Sequence, residues 1–209
     1  MFPAPQLSGF RLVPGYFDRT AQARLVAEVR AVVRRAPPYV PRMPKSGRPL
    51  SVRMTNSGPL GWITDERGYR YQAHHPETGL PWPPIPPLAL EAWRDLARCP
   101  APPQCCLINF YGPTARLGLH QDRDEDDFSA PVVSLSLGDS CLFRVGGLNR
   151  RDRSRTLTLA SGDAIVLGGA ARLAYHGVDR IIPGSCDLLP EGGRINLTLR
   201  RVTTATPKG

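Results

Sequence analysis

The C-terminal half of the chain consists of short strand-forming stretches separated by glycine-containing turns, with no helical pattern between them. Each stretch is rich in the β-branched and aromatic residues that favour strands. Several short strands without intervening helices are typical of a double-sheet jelly roll. We therefore predict a mainly β fold with flanking helices and a jelly-roll core (a double-stranded β-helix). Its strands are expected at residues 105–111, 132–137, 141–145, 155–159, 164–167, 176–182 and 195–199.

The N-terminal half has a different pattern, in which two helices flank a long loop-rich segment. Apolar residues recur at helical spacing over residues 19–35, Asp18 is suited to cap that helix, and Pro37 follows its end. A second helix is predicted over residues 87–98. Residues 41–86 between them are rich in Pro, Gly and aromatic residues, and a loop of that length is more often functional than idle. We interpret this segment as a lid over a binding site.

The length of 209 residues suits one domain with a sizeable core and is short for two. We therefore predict a single domain over residues 1–209. Its expected parts are an N-terminal strand and helix at residues 1–40, the lid at 41–86, a helix and linker at 87–103, and the jelly-roll core at 104–203.

The net charge of +9 and the pI of about 9.9 favour an anionic partner, and nucleic acid is the commonest. An alternative is that the arginine-rich composition reflects a GC-rich genome, because only Lys45 and Lys208 are lysines. No apolar run is long enough for a membrane span, and residues 1–5 lack the features of a signal peptide, so we expect a cytoplasmic protein. Five cysteines without C-x-x-C spacing indicate reduced thiols.

The most specific chemical motif is His120-Gln121-Asp122, which is followed far downstream by Tyr175-His176-Gly177. A His-x-Asp pair can place an imidazole and a carboxylate on one metal ion, and a second imidazole would complete two nitrogens and one oxygen on a single face. That set leaves positions open for substrate and dioxygen, as in non-haem Fe(II) oxygenases. With four histidines in the chain, such a pair also arises by chance, so the motif needs support from its context.

Residues 194–200, which contain the last predicted strand, include two arginines that strand alternation places on one face. Arg194, Asn196, Thr198 and Arg200 would point to one side, and the aliphatic residues between them to the other. Arginines on the inner face of a small barrel are costly unless an anion neutralises them, and a dicarboxylate suits two guanidinium groups. On an exposed face the same alternation would describe a solvated strand.

A long series of further motifs runs in order along residues 54–200. It comprises Met54-Thr55-Asn56, Leu60-Gly61-Trp62, Gly68-Tyr69-Arg70-Tyr71, Pro81-Trp82-Pro83, residues 106–111, residues 120–125, residues 133–138, Gly146-Gly147-Leu148, Tyr175-His176-Gly177 and residues 196–200. The series resembles the bacterial AlkB family, which consists of Fe(II)- and 2-oxoglutarate-dependent dioxygenases that remove alkyl groups from nucleic-acid bases. The resemblance covers roughly residues 50–201 and is looser before them.

The resemblance implies roles for the residues at matching positions. His120, Asp122 and His176 would be the catalytic iron ligands. Fe(II), 2-oxoglutarate as cosubstrate and O2 are the implied cofactors. The residues implied to hold the carboxylates of 2-oxoglutarate are Asn109, Tyr111, Arg194, Asn196 and Arg200. Those implied to contact the base or nucleotide, in part from a nucleotide-recognition lid, are Trp62, Tyr69, Tyr71, Asp124 and Arg150.

The implied reaction is oxidative demethylation of bases such as 1-methyladenine and 3-methylcytosine, with release of formaldehyde, succinate and CO2, as in direct-reversal DNA repair. The expected partner is alkylated DNA, first as a single strand, with duplex DNA or RNA as alternatives, and no membrane. The protein is expected to act as a monomer. Two other functions stay open: an oxygenase that acts on modified tRNA, protein or a small molecule, and a non-catalytic nucleic-acid-binding relative.

Several residues near these motifs are given simpler interpretations. Without the resemblance, Trp62 would be a packed core aromatic. His74 and His75 lie where the family has other residues, and we interpret them as surface or phosphate-adjacent. The acidic residues 124–127 are interpreted as a solvated turn in which only Asp124 belongs to the site. Departures from the family at residues 72–75 leave the preferred lesion and strand type open.

Overall fold

The computed structural model describes residues 7–204, which form two α-helices and twelve β-strands. The helices are α1 (Arg19–Arg35) and α2 (Pro87–Leu96). The strands are β1 (Phe10–Val13), β2 (Val52–Ser57), β3 (Gly61–Asp65), β4 (Gly68–Gln72), β5 (Cys105–Tyr111), β6 (Leu117–His120), β7 (Val132–Gly138), β8 (Ser140–Val145), β9 (Arg155–Leu159), β10 (Ala164–Leu167), β11 (His176–Ile182) and β12 (Arg194–Arg200).

Ten of the strands form two antiparallel sheets. The larger sheet has the order β1-β10-β7-β12-β5-β2, and the smaller has the order β6-β11-β8-β9. Strands β3 and β4 pair only with each other within the described residues. The predicted jelly-roll fold is confirmed, and the seven strands expected after residue 104 are all present.

The two faces of the larger sheet contribute to different parts of the core. On one face, Ile108, Leu135 and Leu197 pack with residues of the two helices, such as Leu25 and Trp93. The other face packs against the smaller sheet, and this second cluster contains Met54, Leu107, Val132, Phe143 and Val178. The alternation predicted for β12 follows from this layering, because its aliphatic residues face the helices and its polar residues face the space between the sheets.

The helices begin and end for identifiable reasons. Asp18 caps α1, since its Oδ1 accepts the N–H of Ala21 at 2.8 Å, and the predicted bounds of this helix are confirmed. Helix α2 ends at Leu96, two residues before the predicted end. Arg98 has a φ of 50°, which lies in the left-handed region and is incompatible with a continuing right-handed helix.

The segment between the helices is more ordered than the sequence suggested. Strand β2 is the edge strand of the larger sheet, and β3 and β4 form a hairpin beside it. His75, which follows this hairpin, is buried with only 2% exposure, so its interpretation as a surface residue is wrong. Its Nδ1 accepts the backbone N–H groups of Glu77 and Thr78, and its Nε2 lies 2.8 Å from the carbonyl oxygen of Pro37. His74 is exposed as expected.

In the part of the chain that the structure describes, no helix combines the length and apolarity needed to cross a membrane. The expectation about a signal peptide concerns residues 1–5, which lie outside the described residues.

Candidate active site

Two neighbouring strands of the smaller sheet bring the predicted iron ligands together. His120 ends β6, His176 begins β11, and the two are paired in register. Asp122 follows β6, with its carboxylate oxygens 3.7 Å from Nε2 of His120 and 3.8 Å from Nε2 of His176. The potential ligand atoms of the three residues, one from each, all lie within 4.8 Å of one another. Gly177 allows β11 to lie this close to β6, since a Cβ atom at position 177 would lie 2.5 Å from the carbonyl oxygen of Leu117.

Backbone carbonyl groups hold both imidazoles in the same tautomer. Nδ1 of His120 lies 2.9 Å from the carbonyl oxygen of Gly118, and Nδ1 of His176 lies 2.9 Å from that of Ala174. A carbonyl oxygen can only accept, so each Nδ1 carries the hydrogen and each Nε2 keeps a free lone pair. The hydrogen bond from Nδ1 to the carbonyl oxygen also orients each ring, as is usual for histidines that bind metals.

The carboxylate of Asp122 has one oxygen bound to an arginine and one without a partner. Oδ1 accepts from Nη2 of Arg200 at 2.8 Å, whereas Oδ2 is buried without a hydrogen-bond partner. Burial raises the pKa of Asp122, but the positive charge nearby, that of Arg200 foremost, lowers the pKa below its ordinary value. An ionised carboxylate with a free oxygen, facing two imidazole lone pairs, fits a divalent metal ion.

The protonation state of His176 also suits a metal ligand. Burial, reinforced by the neighbouring His120, lowers the pKa of His176 to about 4. The imidazole is therefore neutral near pH 7, which is the form that binds metal ions.

Arg194 and Arg200 lie on the same face of β12 but have different partners. Arg194 is 2% exposed, and its guanidinium donates to Oγ of Ser136 at 2.7 Å and to the carbonyl oxygen of Asp139 at 3.2 Å. Among residues 7–204, no carboxylate forms an ion pair with Arg194, whereas Arg200 pairs with Asp122. A buried guanidinium without a counter-charge predicts an anionic ligand. A dicarboxylate would then extend from the metal end at Arg200 to Arg194.

The space between the sheets is a cavity of about 660 Å³, and it is lined by all the residues expected to hold the cosubstrate. Burial raises the pKa of the Tyr111 hydroxyl, so that group is a neutral donor. Oδ1 of Asn109 is buried without a partner, and Nδ2 of Asn196 donates to Oγ of Ser134 at 2.7 Å. All five residues expected to hold the cosubstrate are among those that line the cavity: Asn109, Tyr111, Arg194, Asn196 and Arg200.

The outer part of the same cavity is lined by four of the five residues expected to contact the base. Nε1 of Trp62 donates to Oδ2 of Asp124 at 2.8 Å, and the rings of Trp62 and Tyr69 are stacked with centroids 5.7 Å apart. Arg150 lies at the edge and donates to the carbonyl oxygen of Leu119 at 2.8 Å. Tyr71, the fifth of these residues, is not among those that line the cavity. Its hydroxyl points toward the interior.

Comparisons with known proteins agree with this geometry. Residues 9–200 match the sequence model of the 2OG-Fe(II) oxygenase superfamily. The chain is 54% identical over 203 residues to the alpha-ketoglutarate-dependent dioxygenase AlkB homolog of Caulobacter vibrioides, covering 97% of this chain and 92% of that protein. The chain belongs to the AlkB family. The AlkB protein of Escherichia coli is 39% identical over 193 residues, covering 88% of this chain and 87% of its own.

A solved structure supports the same placement of the chain in the AlkB family. The structure of OsALKBH1 matches with a TM-score of 0.79 and 32% identity, covering 95% of this chain and all of that chain. The protein is accordingly a dioxygenase that uses Fe(II), 2-oxoglutarate and O2. His120, Asp122 and His176 form its metal-binding site.

Two site residues were missed by sequence analysis. Glu125 was assigned to a solvated acidic turn, but it is 5% exposed and forms an ion pair of 3.1 Å with the equally buried Arg172. The assignment was wrong because burial of a carboxylate depends on a cation that lies 47 positions further along the chain. No local pattern in the sequence indicates this pairing.

Proposed function

We propose that this AlkB-family protein oxidatively demethylates N-alkylated bases in DNA, of the 1-methyladenine and 3-methylcytosine type, as a direct-reversal repair enzyme. The observation that carries the proposal is that Trp62 and Asp124 line the same cavity as the metal-binding residues. An aromatic surface and a carboxylate next to an oxidising centre suit a flat, positively charged ring that carries a methyl group.

The metal ligands and the cosubstrate residues have distinct tasks in this reaction. When bound, Fe(II) with 2-oxoglutarate and O2 supplies the oxidation that hydroxylates the methyl carbon. His120, His176 and Asp122 would hold the metal through two nitrogens and one oxygen. The resulting hydroxymethyl group on the ring nitrogen leaves as formaldehyde and restores the base, while 2-oxoglutarate is converted to succinate and CO2.

The two arginines would bind opposite ends of the cosubstrate. Arg194, which has no carboxylate partner within residues 7–204, suits the carboxylate far from the metal, and Arg200 suits the metal-proximal end. A guanidinium can bind a carboxylate through two parallel hydrogen bonds, which fixes orientation as well as position. Tyr111, Asn109 and Asn196 would complete the polar surface around the cosubstrate.

The lid, which we propose comprises residues 41–86, would supply the base-binding wall. Trp62 and the imidazole of His120 both border the cavity, and a planar base would lie between them. Methylation at a pairing nitrogen makes the base cationic and weakens its pairing, which lowers the cost of extruding it. The carboxylate of Asp124 would favour that cation, and Tyr69 and Arg150 at the cavity edge would contact the adjoining nucleotide.

The substrate class is nucleic acid, and we propose single-stranded DNA as the preferred form because a single strand needs no duplex opening. The net charge of +9 supports binding to a phosphate backbone. We further propose that the protein acts as a monomer in the cytoplasm. Its buried free thiols, which include Cys105, Cys106 and Cys141, suit a reducing compartment.

The proposal is tested by incubating the protein with Fe(II), ascorbate, 2-oxoglutarate and oligonucleotides that carry one methylated base. Single-stranded, duplex and RNA versions are followed by mass spectrometry and by formaldehyde release. Wild-type protein should restore the base, and Asp122→Ala should not. Asp179→Ala is the matched control, because Asp179 is an exposed aspartate outside the cavity. Turnover of 2-oxoglutarate without any effect on methylated nucleic acid would instead indicate a protein or small-molecule substrate.

A further inference from the structure

The β3–β4 hairpin contacts the loop that follows Asp122 through two adjacent side chains. Trp62 and Tyr71 are directly opposite each other in the hairpin, so they lie on one face of it. Trp62 donates to Asp124, and the Tyr71 hydroxyl donates to Oε1 of Glu125. Two neighbouring hairpin residues therefore bind two consecutive loop residues, but only Trp62 faces the cavity.

Glu125 and Tyr71 are in turn connected to Arg200. Oε1 of Glu125 lies 3.5 Å from Nε of Arg200, and Oε2 lies 3.1 Å from Nη2 of Arg172. Nη1 of Arg200 donates to the Tyr71 hydroxyl at 3.3 Å, while Nη2 binds Asp122. The Tyr71 hydroxyl thus donates to the glutamate and accepts from the arginine. One hydroxyl joins the hairpin to the arginine at the metal end of the cosubstrate site.

Charge balance does not explain why Tyr71 takes part. Arg172 and Arg200 neutralise Asp122 and Glu125, so the buried group of four has no net formal charge. Arg172 also donates to the backbone carbonyl oxygen of Asp122 at 2.7 Å, which holds the loop in place without help from the hairpin. Within the described residues the hairpin pairs with no other strand, so its position depends on side-chain contacts such as those of Tyr71.

We propose that Tyr71 and Glu125 are positioning residues that couple the base-binding hairpin to the cosubstrate site, so that 2-oxoglutarate and the methylated base bind cooperatively through Arg200. A carboxylate bound at Arg200 restricts the guanidinium, which restricts Tyr71 and therefore its cross-strand neighbour Trp62. The hairpin is then ordered once for both ligands, and the ligand that binds second binds more tightly. This inference rests on the proposed function, because it assumes that the outer cavity binds a nucleobase.

The test compares binding with and without cosubstrate. The protein is loaded with Mn(II) under anaerobic conditions, which prevents turnover. The affinity for a fluorescent single-stranded oligonucleotide with one 1-methyladenine is measured by anisotropy. Saturating 2-oxoglutarate should tighten binding by about tenfold in wild type, a typical coupling between two sites, and by less than about twofold in Tyr71→Phe. By linkage, the oligonucleotide should tighten 2-oxoglutarate by the same factor in calorimetry.

The control is Tyr16→Phe, which removes the hydroxyl of a tyrosine outside the cavity and should keep the full coupling. Glu125→Gln gives a second test, because the amide still accepts from Tyr71 but no longer attracts Arg200; it should lower the coupling, and because it also removes the charge that faces Arg172, thermal unfolding separates its cost in stability from the change in coupling. A loss of folding would weaken the binding of both ligands in every state, whereas the coupling is a ratio of affinities that depends on the connection between the two sites.

Tyr71→Phe with full coupling would overturn the inference. Failure of the oligonucleotide to bind under any condition would overturn the proposed function, and the coupling with it.

Discussion

The guanidinium of Arg194, which forms no ion pair with a carboxylate of the described residues, leads to a prediction that separates ligand binding from folding. Replacing it in Arg194→Met removes the cation that we assign to the distal carboxylate of 2-oxoglutarate. Each hydrogen bond to a charged group contributes about 1.5–3 kcal/mol, so losing two of them should cost at least about 3 kcal/mol of binding free energy, or roughly 150-fold in affinity. The ligand-free fold should change little, because two lost hydrogen bonds to Ser136 and Asp139 are offset by removal of a buried unpaired cation.

The assay is thermal unfolding of the Mn(II) protein with increasing 2-oxoglutarate. At a ligand concentration of about 100 times the wild-type Kd, wild type should gain about 2.7 kcal/mol, and Arg194→Met only about 0.3 kcal/mol. For a domain of this size these values correspond to a rise in Tm of about 5–11 °C and about 1 °C respectively. Arg144→Met is the matched control, because Arg144 forms a surface ion pair with Asp179 outside the cavity.

The reasoning would be refuted by either of two results. A full ligand-induced rise in Tm in Arg194→Met would mean that the cosubstrate does not bind this guanidinium. A large fall in the ligand-free Tm of Arg194→Met, with a normal Arg144→Met, would mean that the buried cation serves the fold and has no need of an anion.

Three further predictions concern other parts of the molecule. Trp62→Ala should raise the KM for a methylated oligonucleotide by about 5-fold to 150-fold, because a stacked base contributes about 1–3 kcal/mol, with no change in the Kd for 2-oxoglutarate measured without oligonucleotide. His75→Phe should lower the free energy of unfolding by about 2–4 kcal/mol in urea, because three hydrogen bonds of the buried ring are lost; an unchanged urea midpoint would contradict this. The metal-free protein should lose stability as the pH falls from about 6.5 to about 4, since the unfolded chain protonates His176 in that range and the folded chain does not. The loss should be about 3 kcal/mol and should be absent in His176→Asn, which urea unfolding across this pH range would show.

The fold could be predicted from the sequence where the relevant interactions are local or periodic. The strands after residue 104 follow from alternation and turn residues, and α1 follows from its apolar spacing and its cap at Asp18. The end of α2 could not be predicted, because it depends on the left-handed backbone of Arg98. His75 was misjudged for a different reason, since its burial requires a carbonyl group that lies 38 positions earlier in the chain.

The candidate active site could likewise be predicted from the sequence only in part. The metal-binding residues were found from spacing and from family resemblance, because their chemistry restricts the residue types that can serve. Glu125 and Arg172 were not found, because an ion pair between distant positions leaves no trace in either local sequence. The indirect position of Tyr71 likewise depends on its contacts with Glu125 and Arg200.

The isolation of the β3–β4 hairpin from both large sheets has a consequence for how new substrate preferences can arise. Exchanging residues in a central strand disturbs backbone pairing on both sides, but the exposed positions of this hairpin, such as Arg67 and Tyr69, can vary without disturbing the backbone pairing of either large sheet. Side chains tie the hairpin to the rest of the enzyme at several positions: Trp62 and Tyr71 bind the loop, Asn56 bonds the backbone of Trp62, and Ile63 is buried against Tyr39 and Trp82. A change in the preferred lesion can therefore arise from substitutions in the hairpin, while the residues of the metal-binding site stay the same.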